Sequence, residues 1–146
     1  AADRARGGCP PRPLCYTARR RGRGGRAMDH FLYRGGRLWA EDVPLSEIAE
    51  AVGTPAYVYS SATLLRHLSL FEEALGWGPH LVCFAVKALS NVAVLKLLGD
   101  EGAGMDVVSE GELRRARAAG VPGDRIVFSG VGKTRRELRL AVEEGV

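Results

Sequence analysis

Lys87 ends a run of six apolar residues, Leu81 to Val86, and is followed by Ala88, Leu89, Ser90 and Asn91. An ammonium group at the tip of an apolar strand has two readings. The stem can lie along the strand while the head reaches water. Alternatively the amine is partly desolvated, which disfavours its charged form and lets the neutral nitrogen condense with an aldehyde as a Schiff-base lysine. The next apolar stretch ends in Asp106, nineteen residues later, with Ser109, Glu110 and Glu112 close behind. A carboxylate beside an amine steadies its charge or relays its proton. Both acids also have plainer uses, Asp106 as a turn or cap residue and Glu112 as a first-turn acid favoured by the helix dipole. A third stretch ends in FSGVGKT, residues 128–134. It lacks the full G-x-x-x-x-G-K-[ST] spacing of a phosphate loop, so Lys133 reads as an exposed residue opening a helix.

These side chains can act together only if their strands lie side by side and point one way. Periodicity supports that. Residues 80–88, 104–109 and 124–130 read as apolar strands, and 91–102, 110–120 and 133–145 as helices. The alternation implies parallel strands joined by crossover helices, each strand covered on both faces. The carboxyl edge of such a sheet is where ligands bind, in barrels and open sheets alike. Upstream, 30–43 reads as two short strands around Gly35-Gly36, a hairpin turn, and 44–52 as a helix closed by Gly53. TPAYVYS (54–60) reads as a strand. Residues 61–75 read as an amphipathic helix with Leu64, Leu65, Leu68, Phe71 and Leu75 on one face. Three strand–helix units fall short of a closed barrel, which takes eight units and about 250 residues. The chain therefore reads as the first βα units of a longer α/β protein rather than a small open sheet.

The formal charge of +4 is unevenly spread. Residues 1–27 carry eight arginines and a single acid, Asp3, whereas the rest carries 13 basic and 16 acidic side chains, a balance of −3. The body of the chain thus offers no clustered basic face for nucleic acid. The leader is rich in Arg, Gly and Pro and has too little apolar surface to order itself. It is open to reading as a targeting peptide or a basic arm. The preferred reading is translated upstream sequence, with Met28 as the real start. Cys9, Cys15 and Cys83 show neither metal-ligand spacing nor a disulfide framework, which fits a reducing cytoplasm and predicts no metal. No apolar run approaches the roughly 20 residues of a membrane helix.

Four ordered blocks carry a resemblance: GTPAYVYS (53–60), FAVKALSN (84–91), GMDVVSEGEL (104–113) and FSGVGKTRREL (128–138). Together they resemble the pyridoxal-phosphate-dependent decarboxylases built on an alanine-racemase-like (β/α)8 barrel, most closely the branch that acts on diaminopimelate. The resemblance implies a partial TIM barrel preceded by a hairpin that belongs to a separate β-domain. It implies pyridoxal 5'-phosphate as cofactor, held by Lys87, with Asp106 near lysine and cofactor and Glu112 a further acid of the active-site region. It also implies meso-2,6-diaminopimelate as substrate, L-lysine as product, and a homodimer for the full-length protein. Other decarboxylases of the same fold, acting on ornithine, arginine or carboxynorspermidine, a racemase, and a non-catalytic carrier of the cofactor are the alternatives. Two local departures stand out: Lys87-Ala88-Leu89 where the family often has K-A-N, and Ser109-Glu110-Gly111-Glu112-Leu113 where it often has S-G-G-E-L. The expected division is a leader at 1–27, the hairpin, helix and strand at 28–60, and the first part of the barrel at 61–146.

Overall fold

A computed structural model describes residues 29–146. The reading of 1–27 as an unordered leader, with Cys9 and Cys15 in it, and of Met28 as the start lies outside the described residues.

Gly35 and Gly36 adopt φ +57 and +77. Two consecutive left-handed residues make the tight turn whose twist suits a hairpin, and glycine takes them without Cβ strain. Strands β1 (Phe31–Arg34) and β2 (Arg37–Ala40) pair antiparallel across it, with Phe31 opposite Ala40. At Glu41 the backbone turns over, φ +56, and a two-residue β3 (Val43–Pro44) returns against β2, a third strand that the sequence did not suggest. Helix α1 (Leu45–Val52) follows at once. Pro44 occupies its N-cap without a side-chain cap, and Gly53 closes it at φ +79.

The expected strand at 54–60 does not form. The segment has the right residue types, but a strand also needs a ladder partner, and it pairs with neither sheet of the described residues. Tyr57 within it is 91% exposed. Helix α2 (Ser61–Leu75) then begins at a proper cap, the Ser60 hydroxyl accepting from Thr63 N–H at 3.0 Å.

Strands β4 (Cys83–Ala85), β5 (Gly104–Val107) and β6 (Ile126–Phe128) form one parallel sheet in that order. Helices α3 (Val92–Asp100), α4 (Glu110–Ala118) and α5 (Arg135–Glu143) follow them in turn. The core lies between sheet and helices, with Val86, Leu95, Met105, Val107 and Leu113 sealed from solvent and Leu64 and Leu68 of α2 closing one side.

Three expectations need correction. The strand at 80–88 shrinks to Cys83–Ala85, the only residues with ladder partners on β5, and the chain then turns through a 3-10 turn at Val86–Ala88. Among the described residues no strand is covered on both faces as expected, since the helices pack on one; β5 has a ladder neighbour on each side, whereas β4 and β6 are the edges of this sheet, and Val127 stays 49% exposed. Phe71, expected on the buried face of α2, is 62% exposed, since α2 packs on α3 and joins the core through Leu64 and Leu68.

One joint binds the N-terminal sheet to the rest. Glu41 Oε1 accepts from the Ser60 hydroxyl (2.8 Å), the Ser61 hydroxyl (3.0 Å) and Ala62 N–H (2.9 Å), so it closes the N-terminus of α2. Alongside, His30 N–H donates to Thr63 Oγ1 at 3.0 Å.

Candidate functional site at the carboxyl edge of the parallel sheet

Ala85 on β4, Asp106 on β5 and Val127 on β6 lie side by side in the ladder. Neighbours in a parallel ladder share a face, and successive residues alternate faces. Met105 and Val107 enter the core on the helix side, so Asp106 stands on the opposite face with Gly104, Cys83, Ala85 and Val127. That face is closed at its amino end. A Cβ on Gly104 would lie 2.6 Å from the Arg125 carbonyl oxygen and 2.8 Å from Cys83 Sγ, so only glycine fits there. The Arg125 guanidinium donates to the Gly102 carbonyl beside it. Burial, and then the Asp106 charge, push the Cys83 thiol above its usual pKa, with Arg125 pulling the other way.

Asp106 Oδ1 is buried and has no hydrogen-bond partner among the described residues. A buried carboxylate oxygen without a donor is costly and marks a place prepared for one. Lys87 stands two residues beyond Asp106's ladder partner Ala85, on the 3-10 turn, next to the fully buried Val86. The amine is exposed rather than partly desolvated, because the turn leaves an edge strand and no described element covers it.

Glu112, at the third position of α4, turns back to the end of β5. Its Oε2 accepts from Val108 N–H at 2.9 Å, while the Ser109 hydroxyl accepts from Glu112 N–H at 3.3 Å. The acid is therefore half-buried and engaged with backbone, fixing the loop that follows Asp106. In the loop after β6, the ammonium of Lys133 lies 5.5 Å from the centre of the Phe128 ring and donates to the Gly130 carbonyl at 2.6 Å. Expected to open a helix and to be exposed, Lys133 instead lies in the loop one residue before the Thr134 cap of α5 and is half-buried.

The sequence reading missed Glu137. Its Oε2 accepts from Thr134 N–H (2.8 Å) and the Thr134 hydroxyl (2.9 Å), and Thr134 accepts from Glu137 N–H (3.2 Å), a reciprocal capping box. Its other oxygen, Oε1, accepts from Glu110 N–H at 3.2 Å, reaching across to the first residue of α4. These donors, the Thr134 N–H foremost, hold the carboxyl below its usual pKa. The pattern Thr-x-x-Glu was the available signal for the local half of this arrangement.

The parallel register thus sets the end of β4, two residues before Lys87, beside Asp106 on β5, and Glu112 reaches back from α4 to the residue after β5. Surface clefts elsewhere, between α4 and α5 and between β2 and α1, hold none of these residues. No cluster of three His, Cys, Asp or Glu among the described residues is arranged to hold a metal ion, and none of the described helices is long and apolar enough to cross a membrane.

Comparison with known proteins agrees in fold and in family. Residues 61–146 match the family described as pyridoxal-dependent decarboxylase, pyridoxal binding domain. The chain is 60% identical over 119 residues to a diaminopimelate decarboxylase of Pseudomonas fluorescens, a match covering 82% of this chain and 29% of the relative. It is 51% identical over 116 residues to one from Haemophilus influenzae, covering 80% of this chain and 28% of that protein. Among solved structures, a diaminopimelate decarboxylase from M. jannaschii, in co-complex with L-lysine, superposes with a TM-score of 0.78 at 34% identity, over 82% of this chain and 29% of the other. The chain thus spans less than a third of the length of these relatives.

Proposed function

The chain belongs to the pyridoxal-dependent decarboxylases, and from that we propose that it is the first part of an enzyme that decarboxylates meso-2,6-diaminopimelate to L-lysine and carbon dioxide. The observation that carries this reading is the parallel register, which sets the end of β4, two residues before Lys87, beside Asp106 on β5, where one Asp106 oxygen is buried without a donor among the described residues. Identity of 60% to a relative of that name supports the substrate over those of other decarboxylases of the same fold.

The residues fit pyridoxal 5'-phosphate as cofactor. A primary amine stands at the strand tip, and the adjoining strand offers a buried acceptor. When bound, the cofactor supplies an electron sink for the pair released as carbon dioxide departs. Lys87 would tether it through Nζ, release it to the substrate amine, and hold a proton at Nζ until the product leaves. Asp106 Oδ1 would accept a hydrogen bond from the bound group and so orient it. Glu112 Oε2, by holding Val108 N–H, would keep the loop beyond Asp106 in place while both ends of the substrate enter.

The division of the chain is part of the proposal. Residues 61–146 would be the opening of the cofactor-binding barrel, and 28–60, with the hairpin, would belong to a β-domain completed by later sequence. A small-molecule substrate, a homodimer and a cytoplasmic setting go with this reading, without nucleic acid or membrane as partners.

The test uses the full-length gene product. It should carry the absorbance band of a lysine–pyridoxal linkage and release carbon dioxide from diaminopimelate in preference to ornithine or arginine. Lys87→Ala should lose both band and turnover, by more than about a thousandfold in kcat. A Lys87→Ala enzyme that keeps its decarboxylase activity would sink the assignment. Binding of cofactor with no turnover of any of these amino acids would favour the carrier reading instead.

A further inference from the structure

We propose that Glu137 is a positioning residue of the site, acting as a clamp between the two loops that leave β5 and β6. The inference rests on the decarboxylase reading only for which reaction is affected; the clamp itself rests on hydrogen bonds. Oε2 of Glu137 is committed to Thr134, the cap of its own helix, and Oε1 to Glu110 N–H, the first amide of α4. One carboxylate therefore ties the N-termini of two neighbouring helices together. Both helices begin at the carboxyl edge of the sheet, one just after Asp106 and the other just after the loop holding Lys133.

The coupling to the chemistry runs through α4. Glu110 is its first residue, and Glu112, two residues on, reaches back to Val108 N–H, the residue after β5. Fixing the Glu110 amide fixes the start of α4, and with it the distance from Glu112 to the strand end that bears Asp106. An α4 start without this tie would leave that geometry to the Ser109 cap, the Glu112–Val108 hydrogen bond and the exposed Glu110–Arg136 pair. Displacement of a site by a fraction of an ångström to an ångström is enough to lower turnover severalfold or more.

The site offers a clean way to cut the clamp. Glu110 occupies the first helical position, where proline is tolerated because that amide has no partner within the helix. Ser109 before it is already extended, φ −153 and ψ 160, as a residue preceding proline should be. Glu110→Pro thus deletes the donor that Glu137 accepts and leaves the helix able to form. It also removes the Glu110 side-chain pairs with Arg114 and Arg136, so Glu110→Ala is the matched control.

The experiment measures three quantities on the full-length enzyme: kcat and KM for diaminopimelate, the thermal midpoint, and amide hydrogen exchange over residues 107–116. Glu137→Ala and Glu110→Pro should each lower kcat about tenfold with KM changed less than about threefold. Exchange over 107–116 should quicken in Glu137→Ala, in which all amides remain. Glu110→Ala should stay within about twofold of the parent in kcat, and Glu137→Ala should cost little more when added to Glu110→Pro. Unchanged exchange in Glu137→Ala overturns the clamp, as does a lowered thermal midpoint with kcat intact, which would make Glu137 an ordinary helix cap. Quickened exchange in an enzyme that never turns over diaminopimelate would uphold the clamp and sink the decarboxylase reading instead.

Discussion

Three donors converge on one oxygen of Glu41, at the point where the N-terminal sheet meets the first helix of the parallel unit. Burial alone would raise this carboxyl's pKa; Ala62 N–H and the Ser60 and Ser61 hydroxyls outweigh it and hold the group below its usual range. The sign of the pH effect follows. A depressed folded pKa gives stability that is present above the unfolded value of about 4.3 and fades as pH falls through the lower folded value. Glu41→Ala should cost about 2 kcal/mol near neutral pH, as expected for a charge-assisted network left without its acceptor. Glu41→Gln should flatten the acid side of the stability curve, read from melts of the full-length protein across about pH 3 to 7. An unchanged acid limb would refute this account of Glu41. The residue also marks a limit of reading from sequence. Lys87 announces itself because it stands just beyond an apolar run, and Asp106 and Glu112 because they lie within and shortly after the next apolar stretch. Glu41 looks like any hairpin acid, since its partners lie some twenty residues away and only its left-handed backbone aims it at them.

The elements that proved legible were those whose signal is local. The bounds of α2 and α4 and the Gly35-Gly36 turn follow from caps, period and glycine placement, all within a few residues. Elements that depend on a distant partner were misjudged. TPAYVYS has strand composition but no neighbour to pair with, and the apolar run before Lys87 is strand only where β5 lies beside it. Close packing between strands is likewise invisible in the linear order. Gly104 is a case in point, since a side chain there would press on the Arg125 backbone and on Cys83 and Leu81 at 2.6 to 3.0 Å. Gly104→Ala should therefore destabilise the full-length protein by about 1–3 kcal/mol, because the closest obstacle is a carbonyl oxygen that cannot swing away. A melt with an unshifted midpoint would show that the sheet yields there more easily than this packing implies.

At the scale of the molecule, the parallel sheet has helices on one face and two edge strands without neighbours among the described residues. An edge such as β6, with Val127 half out in solvent, offers free backbone groups beside apolar side chains, a template for association. A polypeptide of these 146 residues alone should lack a cooperative thermal transition, bind hydrophobic dyes and aggregate on warming. A single sharp melt from that polypeptide would contradict this. The joint between the two sheets, in contrast, is complete in itself. His30, Glu41, Ser60, Ser61, Ala62 and Thr63 all precede the first strand of the parallel sheet. Chains leave the ribosome from the N-terminus at about 5–20 residues per second, and early segments fold first. The grip of Glu41 on its helix can thus close before the segments that bear Lys87 and Asp106 have emerged, so that the growing barrel is built onto an anchor already set.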